Sequence, residues 1–227
     1  MGLWSSIGSA FSSACSWVSN AVSSAASWAG NALSTMVSVG GSLLGGLGTM
    51  ASNLVKGFGF FRDEDPPTPE WGDRAMQAEE QNIHPDQFEN FDDYLDSLRN
   101  FDLDPEKSKE STVDQKTFKG LEVAGRTLEH KFGAPEGSMA NVFVLAGANP
   151  DYFTSERFQM LLGSGMDITS IADYFEGRLG GAESLDIENE LIDLDQKTNP
   201  GKDELSSREE IYQAASVTQE NLRNILS

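Results

Sequence analysis

Residues 5–59 are five consecutive eleven-residue units: SSIGSAFSSAC (5–15), SWVSNAVSSAA (16–26), SWAGNALSTMV (27–37), SVGGSLLGGLG (38–48) and TMASNLVKGFG (49–59). Eleven residues complete three helical turns at about 3.67 residues per turn, so each unit position keeps one angular place on a helix. The repeat therefore predicts a long N-terminal helix in an all-α protein. An eleven-residue period also predicts that packed copies supercoil right-handedly.

One side of this helix is apolar. Unit positions 2, 3, 6, 7 and 10 fall within roughly 130° of arc at this pitch, and only Ser6 and Gly40 among them are not apolar. We call this side the apolar arc and predict that it contacts a membrane or other copies of the helix. The residues assigned to that contact are Ile7, Phe11, Trp17, Val18, Val22, Trp28, Leu33, Met36, Leu43, Leu44, Leu47, Leu54, Val55 and Phe58.

The other side, the small-residue face, is polar but uncharged. Its positions hold Ser, Thr, Asn or Gly, apart from Lys56, which is the only Asp, Glu, Lys, Arg or His before residue 62. Peripheral membrane helices usually carry Lys and Arg there, whereas small residues let helices approach closely in lipid. We predict helix packing or pore lining by Asn20, Ser23, Ser24, Asn31, Gly41, Ser42, Gly45 and Gly46. A disordered Ser/Gly/Ala tether is the alternative, but a tether has no reason to keep Trp, Phe and Leu on one arc.

The repeat is expected to become helical only when its arc is buried, because Ser, Asn and Gly are weak helix formers. It lacks the basic start of a secretory signal and any run of about 20 apolar residues that a simple membrane-spanning helix needs. Met1–Ser6 also matches the short N-myristoylation pattern.

Composition changes abruptly after Phe61. Residues 62–227 hold all 36 Asp and Glu and every Lys and Arg except Lys56, so their net charge is −21 when residues 1–61 carry +1 and the whole chain −20. We divide the chain into the repeat (1–61), a proline-rich acidic linker (62–70) and the remainder. Such strong negative charge argues against nucleic-acid binding by residues 62–227.

The remainder contains helical patterns without strand alternation. We expect an acidic segment with one amphipathic helix from Pro85 (71–111), a small helical core (112–181), and an acidic segment with a C-terminal helix capped by Ser206 or Ser207 (182–227). Within the core, helices are predicted over 112–132 with Gly133 as the stop, from Pro135, over 154–162 and over 167–179.

Signals for catalysis or metal binding are weak. His84, His130 and Cys15 have no zinc-site spacing, and the calcium-loop pattern that starts at Asp193 fails at Lys197. Glu129–His130 is expected on the surface, and Glu156 stands alone. We therefore predict no enzyme activity, no cofactor and no metal.

Residues 5–59 form a Ser/Gly/Ala-rich repeat that is joined to a soluble helical part. In this general composition the chain resembles the internal or pilot proteins of DNA bacteriophages. That resemblance implies a homo-oligomeric structural virion protein that forms a helical tube through the host envelope, with other virion proteins as partners and DNA as a passenger contacted without specificity. The protein would be located in the virion and, after delivery, in the host membrane. If Gly2 were myristoylated, the chain would look more like a penetration protein of a non-enveloped animal virus.

Two further classes remain open. A non-viral pore-forming protein would use the acidic part to bind a receptor or chaperone, and a scaffold protein would use the repeat only as a self-associating coiled coil. Leakage from liposomes separates the membrane-active classes from the scaffold.

Overall fold

The computed structural model describes Ala32, Leu33, Thr35, Met36 and residues 42–226. These residues contain helices and no strand, which confirms the predicted all-α class. Between residues 42 and 226 the ten helices are α1 (Ser42–Gly57), α2 (Thr68–Glu80), α3 (Phe91–Arg99), α4 (Pro105–Ser108), α5 (Val113–Phe132), α6 (Ala140–Ala148), α7 (Ser155–Gly163), α8 (Ile168–Phe175), α9 (Gly181–Thr198) and α10 (Glu204–Leu226). A 3-10 turn at Pro85–Gln87 precedes α3.

Helix ends with strong local signals lie where the sequence predicts them. The Thr112 hydroxyl accepts the N–H of Gln115 at 3.2 Å, and the Gln115 side chain accepts the N–H of Thr112 at 2.7 Å, so α5 opens with a capping box. The helix ends at Gly133, whose φ of 60° closes it in the left-handed conformation.

Other predicted ends are wrong. α10 begins at Glu204, before the predicted Ser206 or Ser207 cap, and the carboxylate of Asp203 accepts the N–H of Ser206 at 2.8 Å. α8 ends at Phe175, where 179 was predicted, because the backbone turns at Gly177 with φ of 74°. The helix predicted from Pro135 begins at Ala140, after a series of turns.

The sequence patterns did not predict α2, which begins inside the proline-rich segment assigned as a linker. Pro67 is its N-cap and a proline lies in its first turn, where no intrahelical N–H is needed. Trp71, Ala75 and Ala78 face the core. Two of these three residues are alanines among charged residues, so the helical apolar periodicity of this segment is weak. Upstream, the Phe61 ring stacks on Trp71 with centroids 4.7 Å apart.

One apolar core runs through the described helices, from α1 to α10. α1 lies on α5 and α7 and also contacts α2 and α6, while α2 packs along α5. Every residue of α6 is buried among α1, α5, α8 and α10. The core therefore includes residues on both sides of the 112–181 block.

Three of these helices meet through small residues, which we call the small-residue junction: Gly48, Thr68, Gly72, Thr117 and Gly120. A Cβ atom built on Gly72 lies 2.6 Å from the Gly120 nitrogen, and one on Gly120 lies 2.8 Å from the Thr68 carbonyl carbon, so α2 and α5 are in direct backbone contact. The Thr68 hydroxyl donates a 2.6 Å hydrogen bond to the Gly48 carbonyl, which ties α1 to the same crossing.

No helix in the described part of the chain is long and apolar enough to cross a membrane.

Candidate functional site

In α1, burial follows the two faces of the repeat. Leu44, Leu47, Leu54 and Val55 are at most 3% exposed, and Leu43 and Phe58 are half-buried. Leu33 and Met36, farther upstream, are also buried. On the small-residue face Gly45 and Gly46 are exposed. The apolar arc is thus covered here by helices of its own chain, and its contact with a membrane or a second copy stays a prediction.

Several assigned positions lie outside the described residues. They are Ile7, Phe11, Trp17, Val18, Val22 and Trp28 of the apolar arc and Asn20, Ser23, Ser24, Asn31 and Gly41 of the small-residue face. Ser42 is the first residue of α1.

An apolar groove of about 520 Å³ runs beside α1. Leu43, Leu47 and Met50 of α1 form one side, and Ala146 and Phe153 belong to the other. All three α1 residues belong to the apolar arc. The arc is therefore not completely covered at this edge of the body.

A second cavity, of about 330 Å³, is polar, and no sequence pattern pointed to it. We call it the polar cavity. The C-terminal turn of α2, the turn before α3, α3 itself and the middle of α5 enclose it. Its lining residues are Glu79, His84, Pro85, Asp86, Tyr94, Lys119, Glu122, Val123 and Arg126.

Ion pairs fix one wall of the polar cavity. Lys119 Nζ lies 2.5 Å from Glu79 Oε1 and 2.8 Å from Glu122 Oε2. Arg126 Nε lies 3.3 Å from Glu122 Oε1, and Arg126 also pairs with Glu136 at 2.9 Å. Burial alone would lower the pKa of Lys119, but Glu122 and Glu79 raise it above its usual value, so the ammonium keeps its charge.

Tyr94 contributes its side chain to the same cavity. The residue is 2% exposed, and its ring is held by Phe88 and Phe91, with centroids 5.6 and 5.4 Å away. Burial raises the pKa of Tyr94 above its usual range, and the nearby Glu79 and Glu122 add to the shift. The hydroxyl therefore keeps its proton and can both donate and accept a hydrogen bond.

The sequence shows the spacing of one wall of this cavity but not the residues that face it. Lys119, Glu122, Val123 and Arg126 lie at helical spacing on one face of α5, which on sequence alone is an ordinary charged surface. Their partner Glu79 is forty residues away from Lys119, and only the folded chain brings the two together.

The histidine and acidic residues weighed in the sequence have structural roles here. Glu129 was expected on the surface and is instead buried, because its carboxylate accepts the N–H of Met139 at 3.1 Å. His130 lies beside the Phe91 ring, 6.0 Å between centroids. Asp195 pairs with Lys202 at 2.7 Å, and Glu156 is exposed in the first turn of α7.

Among the described residues no group of His, Cys, Asp and Glu could hold a metal ion. No protein-family model, no curated protein and no solved structure matches the chain.

Proposed function

We propose that this chain is a structural virion protein that carries a membrane-active repeat for delivery of a viral genome across the host envelope. In the delivered state, copies of the repeat would form an oligomeric helical channel or a membrane-perturbing bundle. The observation that carries the proposal is the division of α1 into a buried apolar arc and a largely exposed face of small residues, whose only charged member is Lys56.

The helices packed on α1 then act as a cover for the arc. An apolar arc exposed to water before delivery would drive aggregation, and here α5, α6 and α7 shield it. The charge of −21 on residues 62–227 keeps such a particle component soluble.

The apolar arc of α1 is removed from water in both states, packed on the folded body or inserted in a membrane. Apolar surface gains roughly 25 cal/mol per Å² when it leaves water, whether it enters this core or a bilayer, so transfer of α1 from body to lipid forfeits little of that gain. The matching face of the body is uncovered by the same step. Lipid or further copies of the chain must therefore be present to cover it, which makes release conditional on the target membrane.

The partners that follow are further copies of the chain, the lipid membrane and other virion proteins, with DNA as a non-specific passenger. Its locations would be the virion and then the host envelope. The mechanism requires neither enzyme chemistry nor a cofactor.

A reversible lock on α1 tests the proposal. A Cβ atom built on Gly48 lies 3.5 Å from the Thr68 Cβ, within the range that a disulfide spans. We expect the Gly48→Cys/Thr68→Cys double variant, made in a Cys15→Ser background, to lose dye release from zwitterionic vesicles by at least about tenfold when oxidised. Reduction of the same sample should restore release.

The controls separate the parts of the proposal. Each single cysteine variant should respond to reductant no more than the Cys15→Ser parent. Equal release by the oxidised and reduced double variant would show that α1 does not leave the body. Absence of release from the parent protein would end the membrane proposal and favour the scaffold class.

A further inference from the structure

The polar cavity combines three features that ordinary salt-bridge clusters on a surface do not share. It encloses about 330 Å³, which is at the low end of small-molecule sites. Lys119 and Glu122 on its wall are only 5% and 6% exposed. Tyr94, which lines the cavity, is 2% exposed, and its side chain forms no hydrogen bond with another described residue.

Two of the three carboxylates of the cavity are already paired with its two basic groups. Lys119 and Arg126 neutralise Glu79 and Glu122 through ion pairs within the wall, and the further acid Asp86 lies on the exposed rim. An anionic ligand would meet three carboxylates, and a cationic ligand would meet an ammonium and a guanidinium. Burial of an uncompensated charge is costly, so both kinds of ligand are disfavoured.

The hydrogen-bonding capacity that remains is of both kinds. The ammonium of Lys119 has three N–H groups and uses two of them on Glu79 and Glu122. Glu79, which lines the cavity, engages Lys119 through Oε1, which leaves Oε2 as an acceptor. The Tyr94 hydroxyl can donate and accept. Hydroxyl groups satisfy such a mixed set because each is a donor and an acceptor at once.

We propose that the polar cavity binds a small, uncharged, polyhydroxylated molecule, a monosaccharide unit or polyol, with the Tyr94 hydroxyl, Lys119 Nζ and Glu79 Oε2 as its hydrogen-bonding groups. This site is independent of the apolar arc and goes beyond the proposed function. The short turn over residues 84–87 forms its rim, and α5 forms its rigid wall.

Saturation-transfer NMR on the full-length protein tests the site with glucose, N-acetylglucosamine and glycerol as probes. Inorganic phosphate and putrescine serve as the anionic and cationic comparisons. We expect saturable binding of at least one of the uncharged probes and weaker binding of both ions. Detection of none of the three uncharged probes would mean that the cavity holds water only, and tighter binding of phosphate or putrescine would overturn the chemistry proposed.

Two tyrosine variants locate the binding. Tyr94→Phe keeps the ring against Phe88 and Phe91 and removes one hydrogen bond, so binding should weaken about fivefold to tenfold. Tyr174→Phe removes the hydroxyl of another buried tyrosine, on α8 and outside the cavity, and should leave binding unchanged. Equal effects of the two variants would place the binding elsewhere. A third variant, Glu79→Gln, keeps an acceptor for Lys119 and should also weaken binding.

Discussion

The close backbone contact between α2 and α5 can be tested by adding one methyl group to it. In Gly120→Ala the added methyl group would lie 2.8 Å from the carbonyl carbon and 2.7 Å from the Cγ2 atom of Thr68, and closer still to the Thr68 carbonyl oxygen. The backbone atoms cannot rotate away as a flexible side chain would. Accommodation therefore requires the two helices to separate along their length.

The magnitude follows from two opposing terms. Ala in place of a helical Gly favours the helix by about 1 kcal/mol. Overpacking of a well-packed contact costs about 1–3 kcal/mol, occasionally more, and here separation also strains the Thr68–Gly48 hydrogen bond. With about 1 kcal/mol for that hydrogen bond, we expect a net loss of about 1–3 kcal/mol, a sizeable part of the roughly 5–15 kcal/mol that stabilises a typical domain.

Urea unfolding followed by far-ultraviolet circular dichroism measures this loss. Gly163→Ala is the matched control, because Gly163 is an exposed helical glycine whose built Cβ atom meets nothing within 4 Å. It should change stability by less than about 1 kcal/mol, toward greater stability. Gly72→Ala should behave like Gly120→Ala, and the double variant should cost less than the sum of the two, since one separation relieves both contacts. A Gly120→Ala midpoint equal to or above that of the unmodified chain would refute the reasoning.

Two further predictions concern pH and the faces of the repeat. Burial raises the pKa of Glu176 to about 8, although Arg178 lies beside it. Because the folded pKa is above the unfolded one, the contribution of Glu176 to stability is complete below about pH 4.5 and is lost as the pH rises through 8. The Glu176→Gln variant should therefore gain stability relative to the unmodified chain between about pH 5 and 9. A difference in urea midpoint that stays constant over this range would contradict the raised pKa. In the repeat, Trp17→Asp should abolish vesicle leakage, since a charge at mid-membrane costs roughly 2.5–3.5 kcal/mol, whereas Ser24→Ala should leave leakage nearly intact; equal effects would mean that the faces are misassigned.

What the sequence determined by itself is local. The ends of α5 could be read from Thr112, Gln115 and Gly133, because a capping box and a left-handed glycine depend on residues three or four positions apart. The apolar arc of the repeat was equally visible, because helical periodicity places residues on one face whatever covers them. The all-α class follows from such periods.

Only the tertiary structure decided what covers the arc and where the polar cavity lies. The burial of Leu44 and Leu54 by helices of the same chain could not be read from a period that serves lipid, a second copy or a core equally well. α2 was missed because its place is set by the contact of Gly72 with α5 rather than by an apolar stripe of its own. Lys119 and Glu79 form an ion pair although they are forty residues apart. Such a pair depends on how the helices pack, and packing leaves no fixed spacing in the sequence.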